Sequence, residues 1–186
     1  MRSTLVLVMS AVLYSVAGPS SARAQGAPPL PTPGPEQEVF KNDVGVWDAE
    51  VESFMEPGQP PTISKGTETS TLLGGLWLVS QFKSEWMGQP FEGFGTLGYD
   101  SARKKYVGTW VDSMSIGYSI VEGSFDPAKK TLTAWMEGPD LSGNVTRMKE
   151  TTEWKDADTR IFTMYAPQAQ GEGERVSMRI TYRRRK

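Results

Sequence analysis

Gly93-Phe-Gly-Thr-Leu-Gly-Tyr-Asp-Ser-Ala-Arg-Lys-Lys-Tyr-Val-Gly-Thr-Trp-Val-Asp112 is the stretch whose reading decides the fold. Two runs of alternating aromatic, β-branched and glycine residues flank a polar loop. That loop opens on Asp100, whose short side chain can bond the backbone inside a turn, so the stretch predicts a β-hairpin. Setting Asp100 opposite Lys105 places Tyr99 opposite Tyr106, Gly95 opposite Trp110 and Gly93 opposite Asp112. A glycine opposite an indole makes room for it. A short connection at Ser113 to Ser115 would carry the pattern onward, with Trp110 opposite Tyr118, Tyr106 opposite Glu122 and Asp112 opposite Ile116. One face then holds Phe91, Tyr99, Tyr106, Trp110, Tyr118 and Ile120 beside Asp112 and Glu122. The other, with Thr96, Lys105, Thr109 and Ser119, suits solvent.

Outward from the hairpin the chain repeats the theme. Trp47, Ala49, Val51 and Ser53 alternate with Asp48, Glu50 and Glu52, the pattern of a half-buried strand whose carboxylates form a solvated face. Further strands are expected at Ile63 to Leu73, Leu76 to Trp86, Ile116 to Phe125, Thr131 to Glu137, Val145 to Trp154, Arg160 to Ala166 and Arg175 to Arg183. Asp100-Ser-Ala-Arg-Lys, Asp126-Pro-Ala-Lys-Lys and Asp156-Ala-Asp-Thr-Arg echo one another as aspartate-initiated hairpin loops. Before the first strand, Pro35 to Asp43 can make one or two helical turns, with Val39 and Phe40 packing on the core. No segment has the length and period of a crossover helix. The expected fold is therefore all-β, a single antiparallel meander of about ten strands with a short N-terminal helix, and closure into a barrel hides its two edges.

The N-terminus has Arg2, an apolar run from Leu5 to Ala17 and Ala22-Arg23-Ala24, the pattern of a secretory signal peptide over residues 1–24. Residues 25–35, with five prolines and two glycines, read as an extended linker, and residues 36–186 as one domain. The 20 basic residues less Arg2 and Arg23 leave 18 against 22 acidic ones, a net charge of minus four. Such a domain is a poor partner for nucleic acid, and its one basic cluster, Arg183 to Lys186, reads as a solvated tail. The chain has no cysteine, so no disulfide forms and the core alone must hold it. The expectation is an exported protein of the periplasm or extracellular space with no membrane span after leader cleavage.

Gly74-Gly-Leu-Trp-Leu-Val79, Phe91-Glu-Gly-Phe-Gly-Thr-Leu-Gly-Tyr-Asp100 and Tyr106-Val-Gly-Thr-Trp-Val-Asp-Ser-Met114 resemble the bacterial family of domain of unknown function 1579. More distantly, the short helix, Gly45-Val46-Trp47 and a basic last strand are similar to the calycins, which include lipocalins and fatty-acid-binding proteins. That resemblance implies a calycin-like barrel in which Arg179 or Arg183 stacks on Trp47. Haem-binding barrels of this type ligate iron through histidine. The chain has none, which closes that route and leaves only tyrosine or methionine ligation.

No motif assigns an activity. Ser101-Ala-Arg-Lys104 matches S-x-x-K and Ser142-Gly-Asn144 loosely matches S-D-N, yet both read as turns and no K-T-G follows. No nucleotide, zinc or other cofactor site is expected. Three functions remain. The first is a small apolar or amphipathic ligand bound by Phe91, Tyr106, Trp110, Asp112, Tyr118 and Glu122 in a barrel cavity, with Met136, Met148, Met164 and Met178 on inner faces. The second is a scaffold whose barrel is filled and whose outer wall carries an apolar patch around Phe94 and Val107. The third is an enzyme whose acid–base work falls to Asp112, Glu122, Glu92 or a tyrosine, and it needs a buried carboxyl without a cationic partner.

Overall fold

The computed structural model describes residues 30–140, 142–166 and 173–186. The proposed signal peptide lies outside the described residues. From Thr32 onward the chain is one compact unit. Its described residues form a 3-10 helix, Pro35–Asn42, and ten strands: β1 Gly45–Ser53, β2 Thr62–Leu73, β3 Trp77–Trp86, β4 Gln89–Asp100, β5 Lys105–Asp112, β6 Ser119–Asp126, β7 Thr131–Pro139, β8 Val145–Trp154, β9 Thr159–Tyr165 and β10 Val176–Arg184. Each strand pairs antiparallel with the next, and β1 pairs with β10 from Trp47↔Arg184 to Ser53↔Met178, so the sheet closes. Closure leaves no unpaired edge to template association. No helix among the described residues is long and apolar enough to cross a membrane.

The central hairpin has the expected register, Asp100↔Lys105 through Gly93↔Asp112. Its loop is set by Asp100, whose Oδ1 accepts the backbone N–H groups of Ala102 and Arg103 at 3.0 Å each. Asp126 does the same for Ala128 and Lys129, and Asp156 accepts from Asp158.

The next register differs from expectation. The β5–β6 connection spans residues 113–118, and Trp110 pairs with Ser119 and Tyr106 with Gly123. A slip of one residue turns every side chain of a strand to the other face. Ser119, Val121 and Gly123 therefore point inward, while Tyr118, Ile120 and Glu122 face out.

Two apolar clusters divide the interior. Under the 3-10 helix, Val39 and Phe40 pack with Leu78, Tyr106, Leu132 and Trp154, and Leu97, Tyr99 and Phe125 complete the plug. The rings meet edge to face, Phe40 on Tyr106 at 5.8 Å and Phe125 on Trp154 at 5.7 Å. The Tyr106 hydroxyl donates to the Glu36 carbonyl at 2.9 Å, pinning the helix across this end. The second cluster, Trp47, Ala49, Val51, Phe82, Ile180 and Tyr182, lies along the wall, with Phe91, Trp110, Phe162 and Met178 against it. One end of the barrel is thus filled and capped, and the other is not.

Candidate functional site: a walled cavity over a buried ion cluster

The cavity beyond the plug has a volume of about 510 Å³, within the range of small-molecule sites. Its floor is an ion cluster. Arg160, from the start of β9, donates through Nη1 to Asp43 Oδ1 at 2.7 Å and through Nη2 to Glu68 Oε1 at 2.5 Å. The guanidinium lies against the rings of Tyr182, at 4.1 Å, and Trp47, at 4.9 Å. Trp154 donates its indole N–H to Asp43 at 3.0 Å, and Ser70 donates to Glu68 at 2.7 Å. Burial works against the charge on Arg160, but Glu68 and Asp43 more than offset it and raise the guanidinium pKa. Burial also pushes the Tyr182 phenol well above its ordinary value, with Glu68 adding to the rise.

Trp47 is the pivot of this floor. Its indole N–H donates to the Asp43 carbonyl at 2.8 Å, and Arg184 covers its ring at 4.1 Å while holding the carbonyls of Asn42 and Val44. The cation expected on Trp47 is therefore neither Arg179 nor Arg183. Arg183 is exposed opposite Asp48, and Arg179 reaches Glu52 and the Phe54 ring. Both have the wrong strand parity: Trp47 faces inward and pairs with Arg184.

One wall comes from the central hairpin. Trp110 lies flat on the β4 backbone, so a Cβ on Gly93 would stand 2.2 Å from its Cζ2 and one on Gly95 3.2 Å from its Cε3. The indole cannot swing away freely, because its N–H donates to Asp112 Oδ2 at 3.0 Å. Gly93→Ala should cost about 1–3 kcal/mol of stability through this overpacking and shift the tryptophan emission. Urea denaturation followed by fluorescence checks it, and an unchanged midpoint would show that Trp110 is loosely held. Asp112 also accepts from Met114 N–H at 2.9 Å and Ser115 Oγ at 3.2 Å, so this carboxylate is occupied in shaping the β5–β6 connection.

Of the six residues expected to bind ligand, Phe91, Trp110 and Asp112 line the cavity. Tyr106 belongs to the plug beneath it. Tyr118 is 60% exposed, and Glu122 sits outside beside Arg103, 3.4 Å away. Ser119, expected toward solvent, is buried and lines the cavity. Met136, Met148, Met164 and Met178 all line it, as their parity predicts. The outer apolar patch continues from Phe94 to its pair partner Val111, both exposed, and not to half-buried Val107.

Sequence reasoning missed Glu150. It stands on β8 between Met148 and Thr152, opposite Ala134 on β7 and Met164 on β9, and it lines the cavity. Among the described residues it has no hydrogen bond and no ion pair. It borders open space, so part of its surface stays accessible, but protein surrounds it as in an interior. Burial, with no charge nearby to oppose it, raises its pKa from 4.5 to about 7. The readable clue was parity: Met148 pointing inward puts Glu150, two residues on, inside as well. Among Asp112, Glu122, Glu92 and Glu150, only Glu150 is an unpaired interior carboxyl. Glu92 bonds Gln81 and Lys83 at the surface.

Solved structures of similar fold include Rv2717c from M. tuberculosis, with 13% identity, a TM-score of 0.61, and coverage of 82% of this chain and 99% of that one. Another is the S-type phycobiliprotein lyase CPES from Guillardia theta, with 12% identity, a TM-score of 0.55, and coverage of 81% and 93%. At such identity the likeness is one of fold. No sequence among curated proteins matches the chain. The family described as "Protein of unknown function (DUF1579)" matches residues 32–184, nearly the whole barrel with its helix, and the chain belongs to that family.

Proposed function

We propose that this protein is an exported barrel that binds a small apolar or amphipathic molecule inside. The observation that carries the reading is the cavity of about 510 Å³, walled by Phe82, Phe91, Trp110 and Phe162 with methionines between them. Rigid aromatic walls with adaptable thioethers suit a ligand held mainly by apolar contact. The leader over residues 1–24 supports export to the periplasm or beyond. A barrel of similar fold is that of a phycobiliprotein lyase.

Occlusion tests it. Dodecanol, a neutral amphiphile, is expected to bind one to one by native mass spectrometry and to change tryptophan emission. Met178→Trp, which adds an indole at a lining position, should weaken binding at least about tenfold. Equal affinity in the two proteins would place the bound molecule elsewhere, and no binding to either would point to the scaffold reading and its outer Phe94 and Val111 patch.

A further inference from the structure

The charges around the cavity are one-sided. Among the described residues its lining includes five carboxylate side chains, Glu68, Glu85, Asp112, Asp140 and Glu150, and a single cation, Arg160. A ligand carboxylate would need that guanidinium, as anions in apolar sites need a positive partner. The charge of Arg160 is already matched. Nη1 donates to Asp43 and Nη2 to Glu68, the guanidinium stands against the Trp47 and Tyr182 rings, and Nε is fully buried without a partner. Four of the carboxylates are likewise accounted for. Glu68 holds Arg160 and Ser70, Asp112 holds Trp110, Asp140 accepts the N–H groups of Ser142 and Asn144, and Glu85 is exposed near the rim. Glu150 remains, an interior carboxyl on the cavity wall with no hydrogen-bond or ion-pair partner among the described residues.

A carboxylate held among apolar side chains without a partner is costly to ionise, and a donor that arrives with the ligand would match it. We propose that the cavity selects amphipathic amines, with the protonated nitrogen on Glu150 and the apolar body against Phe82, Phe91, Trp110 and Phe162. The inference rests on the cavity-binding reading and specifies its ligand class. The groups around Glu150 favour it on every side. Its sheet neighbours, Ala134 and Met164, carry no charge, and toward the floor the two carboxylates Asp43 and Glu68 outnumber Arg160. Tyr182 is neutral there. An ammonium on Glu150 favours its ionised form, so affinity for the amine should fall as pH drops from 8 to 5.5.

Three probes of equal chain length decide it: dodecylammonium, dodecanol and dodecanoate, titrated into wild type and Glu150→Gln by tryptophan fluorescence at pH 8 and 5.5. The expected order at pH 8 is amine tightest, by roughly tenfold to a hundredfold over the alcohol, with the carboxylate weakest. Glu150→Gln should bring the amine's affinity down to that of the alcohol and remove the pH dependence. Thermal unfolding of the variant confirms its fold. Dodecanol binding with no preference for the amine, or an amine preference that survives Glu150→Gln, overturns this inference and leaves the cavity reading standing. If none of the three binds, both fall together.

Discussion

Replacing Arg160 with methionine is expected to destabilise the barrel by about 3–5 kcal/mol, because the substitution leaves the Asp43 and Glu68 carboxylates buried without their shared cation. A domain of this size has a net stability of roughly 5–15 kcal/mol, so the variant should unfold at a much lower urea concentration. The loss belongs to the uncompensated charges and not to the ion pairs as such. Asp43→Asn and Glu68→Gln added to Arg160→Met should therefore recover much of it, since a neutral floor removes the desolvation problem at its source. Urea midpoints of the single and triple variants measure both effects. A single variant within about 1 kcal/mol of wild type would mean that water reaches the floor and that the cluster is not sealed. Salt offers a second check: the pairs are shielded from solvent, so wild-type stability should change little with ionic strength on their account.

The second large effect is on pH. Glu150 titrates near 4.5 in an unfolded chain and at about 7 in the barrel. A raised acid favours folding only while protonated. Its contribution is complete below pH 4.5, erodes as pH rises, and is gone once pH has passed through about 7. Ligand-free wild type should thus lose about 3 kcal/mol relative to Glu150→Gln between pH 4.5 and 8, less to the extent that water in the cavity screens the charge. Thermal unfolding of both proteins at pH 4.5, 6.5 and 8 reads the difference directly. Parallel curves would show that the carboxyl is solvated. An amphipathic amine should narrow the gap at pH 8 by stabilising wild type more than the variant, the mass-action consequence of its tighter binding to the folded wild type.

What could be read from the sequence followed the range of the forces involved. The β4–β5 register was legible because Asp100 fixes its own turn through two local hydrogen bonds, and every pair then follows. The strand count and the inward methionines were legible for the same reason, alternation being a local property. The β5–β6 register was not. In the longer connection over residues 113–118, Asp112 anchors only the first residues, and a one-residue difference beyond them exchanged Tyr118, Ile120 and Glu122 for Ser119, Val121 and Gly123. The floor was out of reach altogether. Arg160 meets Asp43 and Glu68 across 117 and 92 residues, and nothing near Arg160 distinguishes it from the other arginines. The choice of Arg179 or Arg183 over Arg184 failed likewise, because only the closing β1–β10 pairing says which of three nearby arginines shares the face of Trp47. Glu150 is the instructive case, since the alternation that placed Met148 correctly already contained it.

The barrel's first strand begins where its last one ends, Trp47 beside Arg184, at the capped end. Pro33, just ahead of the helix, lies against the Gly75 turn at that same end. Entry and exit of the folded chain are therefore neighbours, on the side away from the cavity. A short glycine-rich bridge between them would permute the chain circularly, and new termini cut into the Gly88 or Gly143 turn would lie toward the opposite end. Conversely, immobilising the protein through exposed Lys186 would present every molecule on a sensor surface with its interior directed outward. The same geometry makes the C-terminus, and not the loops between β1 and β2 or β5 and β6, the place for a reporter that must not disturb binding.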